Sequence, residues 1–368
     1  MLQQLLYRLR ARLVEHIDGP LLAITLTLMV FGIATVYSAT YDSNNRALSQ
    51  FLNMLVGLGV MWAVAQLPPQ KLMRFAVPLY SIGVVLLVLV YIVGVKVNGA
   101  RRWLPLGFMR IQPSEILKIA MPLMLAWYFH KYEAVLKLRH YAIASVLLLV
   151  PFALIAKQPD LGTAILVGAS GFYIIFFAGL PWKIIAGLVI AAGSAAPFVW
   201  TMLHDYQRKR ILTLIDPTTD PLGAGYHIIQ STIAIGSGGG IGKGWLEGTQ
   251  THLEFIPERH TDFIFAVFSE EHGLLGNGIL ITLYLLLIAR GLMITANAST
   301  LFARVLAGSI TLSFFTYAFV NMGMVSGILP VVGIPLPFMS YGGTALVMLF
   351  LGLGILMSIQ SHRMLVKK

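Results

Sequence analysis

The stretch PERHTDFIF, residues 257–265, places Glu258, Arg259, His260 and Asp262 within six positions, directly before an apolar run. A carboxylate at the lip of an apolar wall loses hydration, so its pKa rises into the range a general base needs. Ala266 and Ser269 follow Asp262 on one helical face as a small, partly polar stripe. A second role competes with this one. Thr261 or Asp262 could simply cap the helix that follows.

Other groups could join such a site. In QPSEILK, residues 112–118, Pro113 suits a first helical turn, and Glu115 and Lys118 share a face. Ionisable residues inside a span are functional candidates, although a self-neutralising ion pair would also explain them. The NGARRW stretch carries Arg101 and Arg102, which could fork onto phosphate oxygens or snorkel to headgroups. Asp160 in KQPDLGTA reads as a helix N-cap. In ILPVVGIPLPFMSYGGT, residues 328–344, three prolines forbid a regular helix. Ser340 to Gly343 then open the last apolar run with a helix N-terminus suited to an anion. SGGGIGKG, residues 237–244, is no nucleotide loop, because Ser237 and Gly244 stand at the wrong positions of the pattern.

The elements that must hold these groups are membrane helices. The chain has 368 residues, 57% of them hydrophobic and 11% charged, against about 25% charged in soluble proteins. Apolar runs of roughly 20 residues recur, each long enough to cross a hydrocarbon core. They lack barrel alternation, so an all-α polytopic membrane protein follows. The pattern predicts ten spans: 20–40, 49–66, 75–96, 113–130, 141–157, 161–180, 184–204, 263–290, 303–321 and 340–361. With both termini cytoplasmic, fourteen Lys/Arg fall on inner segments against six on the short outer loops, which supports that orientation. One ordered extracytoplasmic loop, about 204–262, joins spans seven and eight in a single domain, 1–368. Arg8, Arg10 and Arg12 lie in an amphipathic run read as an interfacial helix rather than a secretory signal. The chain has no cysteine, which removes disulfides and thiolate chemistry.

Taken together, PERHTDFIFAVFSEEHGLLG, QPSEILK, KQPDLGTA and GILPVVGIPLPFMSYGGT resemble the SEDS proteins (shape, elongation, division, sporulation), and HDYQRKRI and DPLGAGYHIIQS add to the match. The Arg259-His260 pair looks more like the RodA-type, elongation branch. The resemblance covers essentially the whole chain. It implies a multi-pass glycosyltransferase of the bacterial inner membrane, polymerising lipid II into glycan strands during elongation and rod-shape maintenance. The site would face the periplasm. The family's essential acid falls on Asp262, as general base of an inverting transfer. Arg46, Arg101, Arg102, Glu115, Lys118, Asp160, Arg208, Arg210, His260 and Ser340 are expected to bind the substrate. No cofactor is assigned, and a divalent cation stays open. The expected partners are a class B penicillin-binding protein, the elongation machinery and membrane lipid, with no nucleic acid. The partner is expected on the small residues Gly273, Gly276 and Gly278 of the eighth span. A lipid II flippase and a non-catalytic scaffold are the alternatives. Polarity concentrated at one face favours the enzyme over a transporter, which needs a polar through-path.

Overall fold

The computed structural model describes residues 15–40, 44–97, 100–105, 110–203, 205–220 and 223–363. The expected N-terminal interfacial helix lies outside them. The long helices are α1 Gly19–Ala39, α2 Asn44–Ala65, α3 Pro69–Val93, α4 Pro113–Lys131, α5 Leu138–Lys157, α6 Leu161–Phe177 and α7 Trp182–Met202. After three shorter helices, α8 Asp205–Ile215, α9 Ala224–Ser237 and α10 Thr249–His252, come α11 Ile264–Ala296, α12 Leu301–Val325 and α13 Thr344–Ser361.

Eight of these helices are long and apolar enough to cross a membrane. The other two expected spans are also helices. Helix α6 is a shorter apolar one, and α4 carries Glu115 and Lys118 and is buried on nearly every side. The NGARRW stretch differs from the expected loop. Val95–Val97, Ala100–Pro105 and Arg110–Ile111 form a small antiparallel sheet beyond the end of α3. Trp103 suits a strand better than a coil.

Small residues set the packing. A Cβ on Gly57 of α2 would strike the Phe350 ring of α13, and one on Gly354 of α13 would strike the Met61 carbonyl of α2. Residues 326–343 are irregular, as their prolines require. The segment is anchored by Phe338, fully buried against Phe314 and Phe350, and by the Tyr284 hydroxyl, which donates to the Pro337 carbonyl at 2.6 Å. At the bundle end opposite Asp262, the Asp18 carboxylate caps α1 and accepts two hydrogen bonds from Arg290 of α11, at 3.0 and 2.5 Å. His16 stacks on His362 there, so both described chain ends share one face. Helix α7 stands apart, with none of its residues buried.

Helix α11 is broken. Gly273 has φ 63° and ψ −161°, and a Cβ there would meet the backbone of Gly242 and Ile241. Gly273 and Gly276 are therefore covered by the chain itself, which removes them from the expected partner surface; Gly278 stays exposed.

Candidate active site

The turn before α11 explains where Asp262 points. Glu258, at φ 46°, accepts at its carbonyl from Thr261 N at 3.0 Å and Phe263 N at 3.3 Å. Its carboxylate accepts from the Thr261 hydroxyl at 2.9 Å. Phe263 is the N-cap of α11, with no side-chain capping bond. Neither Thr261 nor Asp262 caps the helix, so the Asp262 carboxylate is left for another purpose.

The backbone around it is fixed from α12. Asn321 is fully buried, and its side-chain amide donates to the Asp262 carbonyl at 2.8 Å and the Ile334 carbonyl at 2.7 Å. The carboxylate faces Gly333, where a Cβ would lie 3.2 Å from Oδ2 and where φ is 73°. A side chain at position 333 would thus be both strained and in the way. Burial first, and the Glu258 charge second, push the Asp262 pKa from the ordinary 3.8 to about 6. Among the described residues Asp262 forms no ion pair, so nothing reverses that push.

One wall of the site comes from His260, Arg46 and residues 340–342. Arg46 reaches the His260 ring at 3.5 Å, and His260 packs on Tyr341. Burial, then the Arg46 charge, lowers the His260 pKa, so its imidazole is neutral at neutral pH. His227 of α9 stacks on Phe263 and is lowered by burial as well. Ser340 serves as a buried fastener here. Its hydroxyl donates to the Thr261 carbonyl and accepts from Leu336 N, each at 2.7 Å. The amides expected to bind an anion are also engaged: Tyr341 N by the His260 carbonyl and Gly342 N by Gln50.

A second polar group meets the same irregular segment. Asp160 caps α6 through Thr163 N, accepts from Gln112 at 2.9 Å and pairs with Arg102 at 3.7 Å. Arg102 also donates to the Gln158 and Pro159 carbonyls. Glu115 and Lys118 form a 2.6 Å ion pair, with the ammonium 5.5 Å from the Tyr317 ring centre. The other Glu115 oxygen, Oε2, is buried without a partner. Lys118 and Tyr317 line a small pocket, with Ser170 and Ser313 as its other polar residues. Gly162 joins the two halves: a Cβ on it would touch Val332 O at 2.8 Å, one residue from the Gly333 that faces Asp262.

Other expected residues go elsewhere. Arg101 donates to the Tyr91 carbonyl and faces a surface pocket with Lys157. Arg208 donates to the Trp200 and Thr201 carbonyls at the end of α7. Arg210 lies in α8, its side chain outside the described residues. Among the described residues no group of three or more His, Cys, Asp or Glu could hold a metal ion. Asn321, Gly333, Gln112 and Tyr317 belong to the arrangement without having been singled out. Asn321, a lone amide in an apolar run, was the one signal on offer.

Residues 19–365 match the cell cycle protein family of FtsW, RodA and SpoVE. The chain is 52% identical over 354 residues to the peptidoglycan glycosyltransferase MrdB of Escherichia coli K12, covering 96% of each. It is 32% identical to the peptidoglycan glycosyltransferase RodA of Treponema pallidum, across 97% of this chain and 100% of that one. Among solved structures it resembles a chain from work on "Structural coordination of polymerization and crosslinking by a peptidoglycan synthase complex" (TM-score 0.81, 34% identity, 94% and 98% covered). It also resembles the rod shape determining protein RodA of Thermus thermophilus (TM-score 0.71, 28% identity, 94% and 97% covered). With its motifs, its helices and a profile match over nearly its whole length, the chain belongs to the FtsW, RodA and SpoVE family, the SEDS proteins.

Proposed function

We propose that this multi-pass membrane protein is a peptidoglycan glycosyltransferase in which Asp262 is the general base. The supporting observation is a half-buried carboxylate that caps nothing, pairs with no cation among the described residues and has its pKa raised to about 6. Such a group is ionised at neutral pH and still basic enough to accept a proton. It takes the proton of the acceptor sugar 4-hydroxyl. The oxygen attacks C1 of the donor as the C1–diphosphate bond breaks, and the diphosphate leaves with the electron pair, so the anomeric centre inverts. One carboxylate suffices, because the leaving group carries its own charge. Arg46, exposed and, among the described residues, held only by its 3.5 Å contact with His260, is the cation proposed to meet that diphosphate. The substrate is lipid II, and the Asp262 end of the bundle faces the periplasm, where that lipid is polymerised.

Purified protein mixed with lipid II, with products separated on a gel, tests the proposal. Asp262→Ala and Asp262→Asn should give no polymer in folded protein. Normal polymer from the Asn variant would remove the base role. Transfer of lipid II across a vesicle membrane without any polymer would favour a flippase instead.

A polymerase needs a separate crosslinking enzyme, and a single-span class B penicillin-binding protein is the partner proposed. An apolar groove between α11 and α12 is lined by Phe265, Ile281, Phe315 and Phe319 among others, with Phe265 three residues after Asp262. A Trp at Ile281 should weaken co-purification with such a partner while basal polymerisation persists.

A further inference from the structure

The break in α11 is a splice. In an unbroken helix Leu274 N and Leu275 N would donate to the carbonyls of Glu270 and Glu271. Here those carbonyls accept from Lys243 N and Gly244 N, each at 3.0 Å. The freed amides donate instead to Gly239 O at 2.9 Å and Gly240 O at 3.0 Å. The glycine stretch 237–244 is thus inserted into the helix ladder. Its lack of side chains is needed, since a Cβ on Gly238 or Gly242 would lie 2.2 or 2.1 Å from the Ser269 or Glu271 carbonyl oxygen.

Glu270 closes the splice. It is wholly buried, and its carboxylate accepts from Lys243 Nζ at 2.6 Å, Gln250 N at 3.0 Å, and the amide and hydroxyl of Thr251 at 3.3 and 3.2 Å. The Thr249 hydroxyl donates to it at 3.2 Å. These donors tie α10 and the glycine stretch to one point on α11. The half-helix 264–272 is then held at both ends, by Asn321 through the Asp262 carbonyl and by Glu270 at the break.

We infer that Glu270 is a positioning residue, clamping the half-helix that carries Asp262 and so fixing where that carboxylate sits. The inference rests on the reading of Asp262 as the base. Glu270 acts through geometry, because its charge is not among the causes that shift Asp262. Glu258 is the charge that acts on Asp262; Arg259 and His260 on the same loop, His227 of α9 against Phe263 and Arg46 of α2 against His260 are the neighbouring titratable or charged groups among the described residues, and all stay unchanged in the variants below.

Lipid II polymerisation by the purified full chain, measured from pH 4.5 to 8, tests it. In Glu270→Gln, kcat should fall about ten-fold with KM within about two-fold, because a misplaced base loses the transition state more than the bound substrate. The acid limb of kcat/KM, near pH 6 in the unaltered protein, should move down by roughly one unit as water reaches Asp262. Lys243→Gln, which leaves Glu270 its other donors, should do the same to a smaller degree, and it decides the matter if the Glu270 variant does not fold. Folded variants whose whole profile is merely scaled, with the limb unmoved, overturn the inference. An unaltered protein with no limb near pH 6 overturns the base reading itself.

Discussion

Replacing Asp262 by Asn should make the protein more stable while removing its activity. The Asp262 pKa is raised from 3.8 to about 6, so the folded state holds a proton that the unfolded chain has released between those values. Folding stability therefore falls as pH rises through that window, and above it the ionised carboxylate carries the full cost. At about 1.4 kcal/mol for each pH unit, the cost approaches ~3 kcal/mol at pH 8. It is well under 1 kcal/mol at about pH 4. Asn keeps the shape without the charge. Thermal melts of both proteins in the same detergent, at pH 8 and pH 4, read the difference directly. Asp262→Asn should melt higher by about 2–6 °C at pH 8. The two curves should nearly coincide at pH 4. An Asn variant that melts at or below the unaltered protein at pH 8 would refute the reasoning, because the carboxylate would then be stabilising the fold.

Exchanging Glu115 and Lys118 together preserves an i, i+3 ion pair but turns the ammonium away from Tyr317, over which it now sits 5.5 Å from the ring centre. The double variant should fold and lose at least about ten-fold in polymerisation, a step of roughly 1.4 kcal/mol in the barrier; full activity would make the pair purely structural. Gly333→Ala puts a methyl group 3.2 Å from Asp262 Oδ2 at a φ of 73°. It should cost about 1–2 kcal/mol of stability and lower kcat more than it raises KM, measured by melting and by lipid II turnover.

The membrane architecture was legible because each span reads its own environment: a run of apolar residues needs no knowledge of its neighbours to be recognised. Asp262 was legible for a similar reason, as a charge at the mouth of such a run. Contacts made across the sequence were not. Gly333 looks like any turn glycine until Asp262 lies opposite it, 71 positions away in the numbering. Basic residues were the least readable. Arg101 and Arg208 have the same chemistry as Arg46, yet each satisfies helix-end carbonyls, a role set by which helix happens to end nearby. Ser340 and the amides after it suit an anion by type, but His260, Thr261 and Gln50 occupy them first. The glycines of 237–244 fit no nucleotide motif; their reason lies in α11, about thirty residues onward.

That splice also sets a depth. As one straight rod the 33 residues of Ile264–Ala296 would measure about 50 Å, far beyond a hydrocarbon slab of about 30 Å. Residues 274–296 alone measure about 35 Å, close to the slab's thickness with a modest tilt. Gly273 therefore divides the helix in two: the part after it is long enough by itself to match the lipid tails, while the half-helix before it is buried within the protein. Under the proposed function, the break keeps Asp262 off the span that matches the tails, so the carboxylate has no need to enter the oil.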